Sequence, residues 1–182
     1  MTRHVIDTNV LIVASGEHPE SPFSSQNHPV NDPMESGKVL KWLIDFEKGN
    51  RRMVVDVDWA ILNEYQNKLT DQDYGARVVF EKMVRGQIDY MEIEWVDNPA
   101  HPDKVAVLNK PLDTVIHDLA DTKIVSTCLK AIDQVNGPGC NIVNACDTDW
   151  YDWQEALGVA GVYVEQLIEE WSRNKWKEHH DR

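Results

Sequence analysis

Five acidic residues stand where a carboxylate is costly unless something uses it. Asp7 interrupts two apolar runs in "HVIDTNVLIVA" (4–14), Glu64 lies in "AILNEYQNKL", Asp121 in "LADTKIVSTCLKA", and Asp147 and Asp149 in "ACDTDW". An isolated buried carboxylate is unfavourable, and clustered carboxylates repel one another. A hard divalent cation relieves both penalties. Mg2+ prefers oxygen ligands and keeps several waters, so one or two direct carboxylates suffice while others hold waters. A cation held this way makes hydroxide from water and neutralises charge on a phosphate, which is the chemistry of phosphodiester hydrolysis. Zinc is not expected: Cys128, Cys140 and Cys146 show no CxxC spacing, and no Cys/His ligand pattern is present. The three thiols read as reduced, small core hydrophobes.

Each acid also has a structural alternative. Asp7, followed by Thr8 and Asn9, can cap the helix after it. Asp118 can cap a helix beginning at 119, and Asp121 is a favourable charge at that helix N-terminus. Asp147 or Asp149 can cap the helix that follows, and Glu64 can be a solvated helix residue. The set is more specific than any member, because one fold would gather all of them.

The elements that must position these acids alternate strand and helix. Val5-Ile6 predicts a strand ending at Asp7, and Asn9–Ala14 a short helix. Ser15–Ser36, with Pro19, Pro22, Pro29 and Pro33, reads as a long mobile loop near the site. Met34–Lys48 is a helix stopped by Gly49-Asn50, and "MVVDV" (53–57) a strand. Asp58 then caps a helix reaching about Leu69. Asp73–Gln87 is helical, "YMEIEWV" (90–96) a strand, and 97–111, with its prolines, a loop. Leu119–Asp133 is a helix, "NGPG" (136–139) a turn and "CNIVNA" (140–145) a strand. Asp149–Leu157 is a short helix, "VAGVYV" (159–164) a last strand and Glu165–Lys177 a closing helix.

This alternation predicts a single domain over 1–182, with a parallel sheet covered by helices on both faces. In such sheets the ligand site lies beyond the carboxyl ends of the strands, at a topological switch point. Asp7, Asp147 and Asp149 follow strands in that way. At about 100° per residue, Asp121 lies over the face of Ala120, Ile124, Cys128 and Ile132, with Asp118 about 60° further round. Glu64 lies about 60° off the edge of the stripe formed by Ile61, Leu62, Tyr65 and Leu69.

Together these stretches resemble a PIN-domain nuclease, the fold of the VapC-type toxins of bacterial toxin–antitoxin pairs. "VIDTNVLIVA" is similar to the family's opening strand and first acid, with Asn9 in the usual polar position. "VVDVDWAILNEYQNKL" resembles the second motif, "LADTKIVSTCLKA" the third and "NIVNACDTDW" the fourth. Two features depart from the family. Asn144 or Ala145 stands where a Thr or Ser often precedes the fourth acid, which leaves Asp147 and Asp149 both open. The stretches 15–36 and 70–111 are longer than in a compact toxin. The resemblance implies a PIN-like α/β/α sandwich with a central, mostly parallel sheet of four to five strands. It also implies RNA cleavage, a Mg2+ or Mn2+ requirement and frequent homodimers. Asp7, Glu64, Asp121 and Asp147 would be catalytic and metal-binding, Asp149 a further ligand, and Asn9 a substrate contact.

The net charge of −13 opposes a broad basic surface for nucleic acid and invites a basic protein partner, such as an antitoxin. Lys48, Arg51 and Arg52, and Arg77, Lys82 and Arg85, are the densest basic sets, read as solvated faces or phosphate contacts. Trp150 and Trp153 either pack in the core or stack on bases. His117 is a structural or exposed histidine, or a ligand; His179 and His180 lie in a polar tail. No apolar run spans a bilayer and no secretion signal opens the chain, so a cytoplasmic protein with no membrane contact is expected. Two rivals stand beside the ribonuclease: a non-catalytic acidic interaction module, and a structure-specific DNA nuclease on the same fold.

Overall fold

A computed structural model of the chain describes residues 2–18, 29–99, 104–134 and 139–180. In chain order the elements are β1 (Arg3–Ile6), α1 (Thr8–Glu17), α2 (Pro33–Lys48), β2 (Arg52–Asp56), α3 (Ala60–Lys68), α4 (Tyr74–Val84) and β3 (Ile88–Met91). They continue with β4 (Trp95–Val96), β5 (Val105–Ala106), α5 (Leu112–Val115), α6 (Thr122–Asp133), β6 (Cys140–Asn144), α7 (Asp149–Val159), β7 (Tyr163–Gln166) and α8 (Glu169–His180).

Five strands form one wholly parallel sheet in the order β3-β2-β1-β6-β7. β4 and β5 form a separate antiparallel ribbon. Consecutive side chains of a strand point to opposite faces, and β1 shows what covers each face. His4 points to Trp42 and Phe46 of α2, while the Arg3 guanidinium reaches the carbonyl of Ala131 in α6. The molecule is therefore an α/β/α sandwich. That explains why Val5, Ile6, Met53, Val54, Val55, Ile142 and Val143 are all wholly buried: a sheet covered twice needs continuous apolar runs rather than alternation. The strand order reverses at β1, which β2 and β6 flank, so the switch point opens at the carboxyl end of β1.

Several boundaries differ from the sequence expectation, each for a local reason. α1 runs through Ser15 to Glu17 instead of ending at Ala14, because the Ser15 hydroxyl accepts the buried Gly75 N–H at 2.8 Å and ties the helix end to α4. α2 begins at Pro33, with the Asp32 carboxylate on the Met34 N–H. Residues 19–28 of the expected loop, and 136–138 of the expected turn, lie outside the described residues.

The stretch 90–96 is not one strand. β3 ends at Met91, and Trp95-Val96 pairs with β5 in the ribbon; alternation alone cannot reveal such a break. Asp58 does not cap α3. Trp59 sits at φ 65°, which delays the helix to Ala60, and Asp56 caps it instead. The Asp56 carboxylate accepts both the Ala60 and Ile61 N–H groups at 2.8 Å. α6 starts at Thr122 rather than 119, after a turn in which Asp118 accepts the Ala120 N–H at 2.8 Å. α7 runs on to Val159, and Gly161, at φ 81°, turns the chain, so the last strand is displaced to 163–166. Among the described residues, no helix is long and apolar enough to cross a membrane.

The packing of α4 on α1 is set by a glycine. A Cβ on Gly75 would lie 2.8 Å from the Leu11 Cβ and 2.9 Å from the Leu11 carbonyl oxygen. Backbone cannot yield as a flexible side chain can, so Gly75→Ala should destabilise the protein by about 1–3 kcal/mol, the usual range for overpacking. Urea unfolding measures it; a variant as stable as the parent would mean the two helices slide apart freely.

Candidate active site

Asp7 closes β1. Its N–H still follows the sheet, donating to the Val143 carbonyl at 2.9 Å. The chain then turns into α1, and Asp7 Oδ1 accepts the Asn9 N–H at 2.7 Å. The capping role therefore holds for one oxygen. The other, Oδ2, accepts the indole N–H of Trp150 at 3.0 Å. The residue is 3% exposed. Burial pushes its carboxyl up, with Asp147 and then Glu64 adding to the effect against these two hydrogen bonds, to about 7.

Asp147 follows β6 and is fastened by Asn144, whose side chain is wholly buried. The Asn144 amide donates to the Asp147 carbonyl and to Gln166 Oε1, both at 2.7 Å, and its oxygen accepts the Asp147 N–H at 3.2 Å. The carboxylate itself accepts the Asp149 N–H at 2.9 Å. Burial raises Asp147, and the charges of Asp149 and Asp118 raise it further against that hydrogen bond.

Asp121 immediately precedes α6 and caps nothing with its side chain. Burial, then Asp7, Asp118 and Asp147, push it to about 9, with Lys123 pulling the other way. Glu64 projects from α3, half-buried. The Thr8 hydroxyl donates to its Oε1, and the Lys123 ammonium lies 2.6 Å from Oε2. Asp7, Asp121 and Asp147, taken from three separate stretches of chain, thus lie near enough that, beyond burial, Asp7 and Asp147 raise Asp121 and Asp147 raises Asp7, and Glu64 raises Asp7 as well.

Other expected participants sit differently. Asn9 meets Asp7 through its backbone N–H. Asp149, in the first turn of α7, turns towards His117, with Oδ2 3.7 Å from Nε2. The Trp153 indole N–H lies 3.3 Å from His117 Nδ1, which is also 3.4 Å from the Val115 carbonyl oxygen. Trp150 and Trp153 are 0% and 1% exposed and cannot stack on a base; Trp150 instead orients Asp7. Apart from the exposed Lys48, the basic sets are engaged structurally, Arg77 over the Tyr74 ring. Lys82 is buried and donates to the Gly49 and Arg51 carbonyls and to Gln87. Arg51 covers the rings of Trp42 and Phe46, Arg52 pairs with Asp89, and Arg85 with Glu81. The cysteines are free, two of them buried.

Sequence reasoning missed the supporting residues Thr8, Asn144 and Lys123, and the role of Trp150. Their signal was proximity: each lies within three residues of a candidate acid. Which of the neighbours turns inward was decided by the turns that precede α6 and α7.

Among the described residues, no group of three or more His, Cys, Asp and Glu side chains is arranged to hold a metal ion. The donor set nevertheless suits Mg2+ or Mn2+, which takes one or two carboxylates directly and others through water. Both hydrogen bonds to the buried Asp7 carboxylate come from neutral N–H groups, and its neighbours Asp147 and Glu64 are acids. Beside Glu64 the surface opens into a groove of about 680 Å3. No protein-family model, no curated protein and no solved structure matches the chain.

Proposed function

We propose that the chain is a PIN-like, metal-dependent endoribonuclease that hydrolyses phosphodiester bonds. The observation that supports this reading is that burial, and then repulsion among Asp7, Asp121 and Asp147 with Glu64 acting on Asp7, pushes Asp7 and Asp121 up to about 7 and about 9. Structural acids are normally placed so that their charge is welcome; these are placed where it is not. Asp7 and Asp147 would hold the cation most directly, with Glu64 and Asp121 acting directly or through water. Bound Mg2+ or Mn2+ would supply hydroxide at neutral pH and neutralise charge on the phosphate.

The chain's own groups do the positioning. The Trp150 and Asn9 N–H groups fix both oxygens of Asp7. Thr8 orients Glu64, and Asn144 locks the turn that carries Asp147. Lys123, paired with Glu64, brings a positive charge to the edge of the groove. Asp149 holds His117 and contributes to Asp147 through its backbone N–H, which favours Asp147 over Asp149 as the fourth acid. A cytoplasmic location, a homodimer and the role of toxin paired with a basic antitoxin follow from the resemblance and the acidic net charge.

Cleavage of a mixed RNA pool should require Mg2+ or Mn2+ and cease in excess chelator, returning when the cation is restored. DNA pools, single-stranded and duplex, should remain intact. Undiminished cutting in chelator by pure protein would end the metal mechanism, and cutting of DNA alone would make this a DNA nuclease. Calorimetric titration with Mn2+ addresses the non-catalytic rival, because an interaction module whose acids are caps would give no heat of binding.

A further inference from the structure

We propose that the groove beside Glu64 is a binding track for single-stranded RNA, in which Trp95 stacks on an unpaired base and Lys68 and Lys104 contact phosphates. The inference rests on the ribonuclease reading for its substrate, but its evidence is separate. The chain carries 18 basic against 31 acidic residues, yet this groove gathers Lys68, Lys104 and Lys123. Lys123 is committed to Glu64. Among the described residues, Lys68 and Lys104 have no ion pair. Both acids on the groove wall already have partners: Glu64 has Thr8 and Lys123, and the Asp58 carboxylate accepts the Trp95 indole N–H at 2.7 Å. The spare charge in the groove is positive on an otherwise acidic molecule, so a polyanion is the occupant it selects.

Trp95 supplies the second half of the site. It comes from the β4–β5 ribbon, which is additional to the main sheet and pairs Trp95 with Ala106. The ring is half-buried, lines the groove and is pinned at its N–H by Asp58. A ring fixed before the ligand arrives loses little freedom on stacking. Stacking on a side chain requires an unpaired base. Two spare ammonium groups are also too few to hold a duplex against a net charge of −13. Asn63 and Asn67, one turn apart on α3, line the same groove and offer donors and acceptors to a base edge. The track leads past Lys123 to Glu64 and so to the acids.

The test is fluorescence anisotropy with a short labelled RNA, in chelator so that nothing is cut, across a salt series. Lys68→Gln and Lys104→Gln should each weaken binding severalfold. Each should also flatten the salt dependence of log K by about 0.7, the share of one phosphate contact on a single strand. Trp95→Ala should weaken binding by about tenfold or more, while Trp95→Phe, which keeps a stacking face, should retain most of it. Melting curves check that all four variants are folded. Variants that bind like the parent, a duplex of the same sequence bound as tightly, or equal competition by polyaspartate would each overturn the proposal. Added Mg2+ separates the two readings. Binding through these residues without cleavage would leave the track standing and remove the nuclease, whereas cleavage at low RNA concentration unaffected by the variants would do the reverse.

Discussion

Asp7→Asn should reduce cleavage by about a thousandfold or more while making the metal-free protein more stable at alkaline pH. The loss follows from the role of the carboxylate. A catalytic cation contributes several kcal/mol at the transition state, and about 4 kcal/mol corresponds to roughly a thousandfold in rate. The gain in stability follows from burial. Folding raises the Asp7 carboxyl from an ordinary 3.8 to about 7, so the folded state holds this proton more tightly than the unfolded one. Stability is therefore fully present below about pH 4 and declines as pH rises through 7, because only the unfolded state ionises freely over that interval. The asparagine has no proton to lose. It does lose one acceptor, since its amide nitrogen cannot receive both the Asn9 and Trp150 N–H groups, a deficit of about 1 kcal/mol. Two melting series in chelator should therefore cross between about pH 4 and 5: the variant melts lower at pH 3.5 and higher at pH 8.5. Mn2+ should raise the melting temperature of the parent and leave that of the variant unchanged. Parallel pH curves would mean that Asp7 ionises in the fold as easily as in water, and the argument for a cation at this position would fail with it.

The part of this site that was legible in the sequence is the part fixed by strands. Asp7 and Asp147 could be placed because a β-branched run ending in an acid has few alternatives in a parallel sheet, and the sheet puts all such ends on one edge. Glu64 and Asp121 were placed by helical phase; Glu64 lies within α3, which begins later than expected, whereas Asp121 falls in the turn just before α6. Removing residues from a helix start does not rotate those that remain, so the phase of α3 survives at Glu64, while Asp121 is set by the turn that runs from Asp118. What the sequence hid was the chemistry of turns. Nothing in "DVDWA" says that Trp59 adopts a left-handed conformation and transfers the cap from Asp58 to Asp56. The alternation in "YMEIEWV" is equally suited to one strand or to two in different sheets, and the division is what frees Trp95 to line the groove. The tryptophans beside Asp147 were ambiguous because aromatic residues near an acid suit both stacking and packing; zero exposure of Trp150 decides for packing.

Asp121→Asn and Asp118→Asn should behave in opposite ways, although three residues separate them and both stand before α6. The Asp118 carboxylate is exposed and accepts the Ala120 N–H at 2.8 Å, a bond that asparagine can also make. Asp118→Asn should therefore lose at most about 1 kcal/mol of stability. It should also keep much of its cleavage, since Asp118 acts on Asp121 and Asp147 through charge alone. The Asp121 carboxyl makes no cap, lies among three other acids and is pushed to about 9. Its conversion to asparagine removes a charge that a bound cation requires, so cleavage should be abolished. In chelator the variant should gain on the parent as pH rises from about 4 towards 9, because over that span the unfolded parent ionises at this residue while the folded parent keeps the proton. The gain at neutral pH should be a few kcal/mol at most, given the residual exposure of the group and the screening that comes with it. A cleavage assay beside melting curves with and without Mn2+ reads both effects. If Asp118→Asn were inactive and Asp121→Asn still cut RNA, the third acid would be Asp118, and the turn before α6 would have to rearrange when the cation binds.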